Sequence, residues 1–517
     1  MDVKEKLENH RNKLRREMGL PTKEASQFKL PVDKPFTRDE REDVTLLFAG
    51  LTPIHDFLIQ GALEGLGYKA QHIPTPDNQS LALGKEYCNR GQCNPTYYTV
   101  GNLIKVLKKM RDEGVEDIEK KYIYITVGAC GPCRFGMYEA EYRKALIDAG
   151  FEGLRVLTIS QEFEQEDDEK VSGLNRNAAF YITLVKAVMA GDMINELKYK
   201  IRPYEINPGS TEKAVEETVQ ILYKAIKERS NHFRALRKAK KVLEKVPVDY
   251  SRVKAKVKVI GEFWAQTTEG DGNYRLPLWL EEEGCEVVVQ PVSGWIDYTF
   301  WYWKEYLVER VVARKNLREK LNFASVLMKM KIAEYLFKIY FNLYRAALGF
   351  VIEPLPSQKK MAQLGEKYFN TKILGGEGHL EVAKNLLAIK EKKAHLVISV
   401  KPFGCMPSTQ SDGVQSKVLS DFKEGLFIPI ETSGDGEVNV KSRVQMKLFE
   451  ARERAKEEFS QLLKEMGMSD DYAKKTVLAN QKPGLSLMKL PSSKTTTAGN
   501  YLLSLSKERG VLKRLSA

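Results

Sequence analysis

The chain has 517 residues, a formal charge of +13, and apolar and charged fractions of 43% and 29%, which are those of a globular protein rather than a disordered or fibrous one. Its length exceeds a single ordinary core and predicts roughly two to four domains. Six cysteines are too few for a disulfide scaffold. The most membrane-like run, residues 178–190, is short and interrupted by Lys186, and residues 1–20 are dense in Lys, Arg and Glu rather than signal-like, so a cytoplasmic protein without a membrane span is expected.

Residues 1–43 read as a polar, helix-prone N-terminal arm. Val44-Thr-Leu-Leu-Phe-Ala49 has the character of a buried strand, residues 53–66 of an amphipathic helix and residues 68–73 of a second strand, giving a β-α-β order. A cysteine-bearing loop then leads into a helix over about 96–113. The strand at Tyr122, a helix over 137–150, the strand Arg155-Val-Leu-Thr-Ile159 and helices over 175–197 and 211–243 complete a first α/β domain, residues 44–250. The pattern restarts with Ala255-Lys-Val-Lys-Val-Ile-Gly-Glu262, a helix over 276–283 and a strand over 286–290. A long helical region follows over 302–348, in which Leu336, Ile339, Tyr340, Leu343, Tyr344 and Ala347 form an apolar stripe suited to a core or a subunit interface. A helix over 382–392, strands at 395–400 and 426–430, and a helix over 439–465 end a second α/β domain, residues 251–465. Residues 466–517 read as a basic tail with some helix of its own. The fold class expected is α/β: two flavodoxin-like or Rossmann-like open parallel sheets with long helices and a helical C-terminal tail.

In such folds ligands collect where strands end, and the cysteines concentrate there. Cys88 and Cys93 lie in Tyr87-Cys-Asn-Arg-Gly-Gln-Cys-Asn-Pro95, Cys130 and Cys133 in the turn after the Tyr122 strand, and Cys405 in the turn after the strand at 395–400. A thiol at a strand-to-helix turn faces unpaired N–H groups and the positive end of the helix dipole, which favour the thiolate. Five thiols without companion histidines favour a thiophilic centre, zinc or an iron–sulfur cluster, and their long separation along the chain suits a cluster between domains better than a zinc knuckle. Two pairs alone could hold zinc, and Cys130-x-x-Cys133 alone could serve as a dithiol redox pair. Cys285, beside the strand Val287-Val288-Val289, reads as a structural residue of the core. Phe135 and Phe403 are candidates to keep a cluster dry, and Arg134 and Lys401 to offset added negative charge. Glu262, Glu377 and His379, in Gly-flanked turns, are candidates for proton handling, with helix capping or a surface position as the plain alternatives for Glu377 and His379.

Ala129-Cys-Gly-Pro-Cys-Arg-Phe-Gly136, Lys258-Val-Ile-Gly-Glu-Phe-Trp264 with Gly270-Asp-Gly-Asn-Tyr-Arg275, Gly375-Gly-Glu-Gly-His379 and Lys401-Pro-Phe-Gly-Cys-Met-Pro407 also carry a family resemblance. Over roughly residues 43–460 the chain resembles components of the 2-hydroxyacyl-CoA dehydratase and benzoyl-CoA reductase superfamily, and more closely its dehydratase activase-related branch. The resemblance implies flavodoxin-like domains around an oxygen-sensitive iron–sulfur cluster, either 4Fe–4S or a double cubane. It further implies an ATPase activator of the actin/sugar-kinase type with its own 4Fe–4S cluster, a possible homologous subunit or homodimer, and a small-molecule or acyl-CoA substrate. The additional pairs Cys88/Cys93 and Cys130/Cys133 depart from the dehydratase subunits of that superfamily. They leave open a low-potential reductase, a dehydratase-like component or a non-catalytic electron relay.

No Gly-x-x-x-x-Gly-Lys-[Ser/Thr] loop is present, so no bound nucleotide is expected on this chain. The Lys- and Arg-rich stretch from Lys224 to Lys258 reads as a solvated helix face leading into a linker. A nucleotide-bearing or acidic partner is the alternative; nucleic acid is not favoured, because no recognised binding module accompanies the charge.

Overall fold

The computed structural model describes residues 3–18, 34–128, 133–160, 173–373, 376, 378–481 and 483–508. The chain divides into two units, residues 1–34 and 35–517. The first contains one helix, Val3–Glu17. All that follows concerns the second.

Among the described residues eight strands form two sheets of four: β1 (Thr45–Phe48), β2 (Lys69–His72), β3 (Tyr122–Gly128) and β4 (Arg155–Ser160) in one, β5 (Lys256–Gly261), β6 (Glu286–Val289), β7 (Leu396–Pro402) and β8 (Phe427–Thr432) in the other. Every pairing is parallel, and the two orders, β2-β1-β3-β4 and β6-β5-β7-β8, are the same topology used twice. The α/β fold expected from the sequence is therefore present, with a strand at each expected place. Parallel strands are covered on both faces, which is why β7 reads as Leu-Val-Ile-Ser-Val and is buried along its whole length.

The helices do not respect the boundary expected at residue 250. One core cluster joins Met193 and Leu197, Leu222 and Leu236, Phe341 and Tyr344, and Phe459, Tyr501 and Leu502. The helices Asp470–Leu478 and Thr497–Glu508 are thus built into the core rather than hanging from it as a tail. The apolar stripe on the helix Leu317–Ala347 splits: Tyr344 and Ala347 are buried, whereas Leu336, Ile339 and Leu343 lie on an exposed flank. Among the described residues one stretch, Ala178–Tyr204, has the length and composition to cross a membrane, longer than the apolar run in the sequence suggests. Its Met189, Met193, Ile194 and Leu197 belong to the core just described, and 56% of its apolar window is buried.

The helices Asn78–Tyr87 and Asn94–Asp112 meet with their backbones in contact. A Cβ on Gly84 would lie 1.9 Å from the Tyr97 carbonyl oxygen, and one on Gly101 1.8 Å from that of Ser80. Because the obstacle is backbone, no side chain can swing aside. Gly101→Ala is expected to cost about 3 kcal/mol in urea unfolding; an unchanged midpoint would show that the two helices can separate freely. This crossing matters for the site, since Cys88 ends the first helix and Cys93 begins the second.

Candidate thiol site between the two sheets

With the strand order 2-1-3-4, chain direction across each sheet reverses between its two central strands, and a crevice opens at their carboxyl ends. In the second sheet that crevice lies between Gly261-Glu262, after β5, and Phe403-Gly404-Cys405, after β7. Loops from the carboxyl end of the first sheet close against it. Asn94 donates its backbone N–H to the Phe403 carbonyl at 3.2 Å and its side-chain amide to that of Thr432 at 2.9 Å. Arg134 Nη1 donates to the Gly404 carbonyl at 3.0 Å, and Tyr98 packs on Trp264 with ring centres 5.6 Å apart.

These contacts seat the turn that carries Cys405 against the turn that carries Cys93. Gly404, at φ +78°, holds a left-handed turn, and a Cβ there would lie 3.6 Å from the Cα of Cys93. Cys93 is the N-cap of the helix Asn94–Asp112, and its Sγ lies 3.1 Å from Tyr138 Oη and 3.3 Å from Thr96 Oγ1. Cys405 is the N-cap of the helix Met406–Asp421, with Sγ 3.3 Å from Ser408 Oγ. Ser408 and Ser411 in turn donate to the fully buried Glu381 at 2.7 and 2.6 Å. Cys88, Cys93 and Cys405 are all buried, and Cys133, N-cap of the short turn Arg134–Met137, is half-buried. Burial pushes the Cys88 thiol up to about 12, and the Glu141 carboxylate adds to the effect. Burial, followed by Glu262, pushes Cys405 well above the ordinary thiol range. Without a cation these two sulfurs are held as neutral thiols.

Glu141 fixes the loop that carries the first pair. It is buried and accepts from the Asn89 N–H, the Asn89 side chain and the Gln92 side chain, each at 2.9 Å. Neither Glu141 nor Tyr138 was singled out in the sequence, where they look like members of an ordinary amphipathic helix. The Ser408–Glu381–Ser411 relay was equally silent there.

The remaining candidates divide. Phe135 is half-buried and lies edge-on to Tyr138, ring centres 5.0 Å apart, so it shields the Cys93 side of the crevice. Phe403 does not have the expected shielding position: it is 59% exposed, because the left-handed turn at Gly404 directs the chain, not the ring, inward. Lys401 is buried and paired with Asp412, so its charge is already matched, and burial holds it below the usual lysine range. Arg134 is exposed and serves to tie the two halves at Gly404. Glu262 caps the helix Phe263–Thr267 by accepting from the Ala265 N–H at 2.8 Å, and stands close enough to influence both Tyr138 and Cys405. His379 is not a surface residue. It is 1% exposed between Tyr298 and Trp301, at ring distances of 5.4 and 5.2 Å. Cys130 and Glu377 lie outside the described residues.

Cys285 is fully buried in the core of the second sheet, at the amino end of β6, and so at the opposite edge from the other thiols. Among the described residues that leaves Cys88, Cys93, Cys133 and Cys405 as the thiols of the turns. Among the described residues no three His, Cys, Asp or Glu side chains are gathered closely enough to hold one metal ion. The chain finds no match among protein-family models or among curated proteins.

Proposed function

We propose that this chain is an iron–sulfur protein of the low-potential reductase or dehydratase-component kind, taking electrons from an ATP-hydrolysing activator. The observation that carries this reading is the seating of the Cys405 turn, from the second sheet, against Cys93, from the first. The donor set fits the group: buried sulfurs without histidines among them, Cys93 and Cys405 opening helices, with burial raising the Cys88 and Cys405 thiols so that a cation would be needed to hold these two as thiolates. Cys88, Cys93, Cys130, Cys133 and Cys405 would hold it. Five thiols exceed by one the four ligands of a 4Fe–4S cubane, while two linked cubanes would need a sixth, for which Cys285, buried at the amino end of β6, is the remaining cysteine.

When bound, such a cluster passes single electrons at low potential. The chain's own residues supply the surroundings. Phe135 and Tyr138 exclude water from the Cys93 side, the N–H groups that open the helices Asn94–Asp112 and Met406–Asp421 offset negative charge, and Glu262 stands where a proton could be held next to the sulfurs. With no phosphate loop in the sequence, ATP would be spent on the partner, an activator of the actin/sugar-kinase type carrying its own cluster.

Iron and acid-labile sulfide per chain, measured on anaerobically purified protein, test the assignment. Wild type and Cys285→Ser are expected to be brown with equal iron, whereas Cys93→Ser and Cys405→Ser are expected to lose most of it. Colourless wild-type protein, or Cys405→Ser with its full iron, would sink the proposal. An assay with the activator, ATP and acyl-CoA candidates then separates an enzyme, which consumes substrate, from a relay, which does not.

A further inference from the structure

Strand β5 is interior, hydrogen-bonded to β6 on one side and β7 on the other. Interior parallel strands are usually apolar on both faces, because helices cover both. In β5 one face obeys, with Val257 and Val259 fully buried, while the other begins with half-buried Lys256 and Lys258 before it reaches the fully buried Ile260. That second face meets a cavity of about 490 Å³, within the roughly 300–1,000 Å³ usual for small-molecule sites. The cavity is bounded by the sheet, by the helix Gly378–Lys390 and by the segments 351–361 and 490–500. It lies along the sheet face and takes in none of the thiols.

Its lining carries eight lysines against four glutamates. Two of those glutamates are committed: Glu286 to Lys256 at 3.0 Å, and Glu391 to Lys360. A third, Glu196, is pushed up to about 7 by burial and so carries only about half a negative charge at neutral pH. Among the described residues Lys258, Lys392 and Lys393 have no ion-pair partner. Burial, reinforced by the charges of Lys384 and Lys393, pushes Lys258 down to about 8. A lysine placed on an interior strand beside two others, with only Glu391 near it and that carboxylate already paired with Lys360, destabilises the unliganded protein. Facing this cationic floor is an apolar wall that includes Val351, Leu355, Met361 and Leu490.

We infer that this cavity binds an organic phosphate ester of the nucleoside-diphosphate class, its phosphates on Lys258 and Lys393 and its organic part against the apolar wall. The two walls require both ends of such a ligand: an anion alone leaves the apolar side unused, and an apolar molecule leaves the lysines unmatched. The missing phosphate loop excludes one way of holding phosphate, not lysines projected from a strand, so the sequence-based expectation of no nucleotide on this chain is set aside here. The basic stretch from Lys224 to Lys258 is accordingly not a solvated face to its end, since Lys256 and Lys258 both line the cavity.

Calorimetric titration of the full chain with ADP, without magnesium, tests this. One site with a dissociation constant well below about 1 mM is expected, with inorganic pyrophosphate about ten-fold weaker. Lys258→Met and Lys393→Glu are each expected to weaken ADP about ten-fold or more, while Lys258→Met raises the urea midpoint, since an apolar side chain replaces an unmatched buried charge. That opposite movement of affinity and stability is something a merely structural lysine would not give. No saturation by ADP, equal affinity for pyrophosphate, or undiminished ADP binding by folded Lys258→Met would overturn the inference. Because the cavity holds no thiol, the measurement stands or falls independently of iron content.

Discussion

Alanine in place of Asp192 is expected to destabilise the fold by about 3–5 kcal/mol, read as a large drop in the urea midpoint. Asp192 lies in the helix Ala178–Ile201 and is 3% exposed. It accepts from His55 Nε2 at 3.1 Å and from the backbone N–H groups of Val292 and Ser293 at 2.7 Å each. Those two are the opening residues of the helix Val292–Ala313, so one helix caps another across the molecule. His55 Nδ1 is engaged by Thr52 Oγ1 at 2.8 Å, which leaves Nε2 as the nitrogen that donates to Asp192. Truncation strands three buried donors at once, and water has no ready route to replace the carboxylate. A loss below about 1 kcal/mol would show that the helix start reorganises around a substitute acceptor.

Replacing His379 by phenylalanine is expected to make the protein about 2 kcal/mol less sensitive to acid between pH 7 and pH 5. Burial pushes His379 down to about 4, and its Nε2 has no hydrogen-bond partner among the described residues. Its folded pKa is thus below the unfolded value near 6.5, so the unfolded chain binds the extra proton. Stability is lost as pH falls from about 6.5 toward 4 and does not change further from this group below that. The raised carboxyls Asp56, Glu196 and Glu281, each pushed up to about 7, act in the opposite direction but are common to both proteins and cancel in the difference. Urea midpoints for wild type and His379→Phe at the two pH values suffice. Parallel losses in both would mean that His379 gains a proton without leaving its pocket.

Most strands were legible because they are short apolar runs, often β-branched, bounded by turn residues, and such runs have little other use in a chain of this polarity; β2, Lys-Ala-Gln-His, is the polar exception. Two helices near the site were not legible. Asn78–Tyr87 buries only Ser80, Leu81 and Gly84, since it approaches its neighbour backbone to backbone and needs no large side chains there. Met406–Asp421 turns Ser408, Ser411 and Gln415 inward to satisfy Glu381 and Asn385, so its buried face is polar and gives no apolar period. The site was legible in part for a similar reason. Turns rich in Gly and Pro announce the thiols, but Glu141 reaches Asn89 and Gln92 across some fifty positions of sequence, and nothing local marks the pairing. His379 was misplaced because its neighbours Tyr298 and Trp301 come from a helix about eighty positions earlier.

The edge-to-face packing of Tyr250 and Tyr501, ring centres 5.6 Å apart, has a consequence for synthesis. A ribosome adding roughly 5–20 residues per second needs on the order of 10–50 s to cover the intervening stretch of about 250 residues. Throughout that interval the nascent polypeptide presents Tyr250, Leu236 and Leu243 with no lid over them, a greasy face waiting on a distant segment. A holdase encountering the growing chain would find its grip there, and would be displaced when Tyr501 and Leu502 arrive.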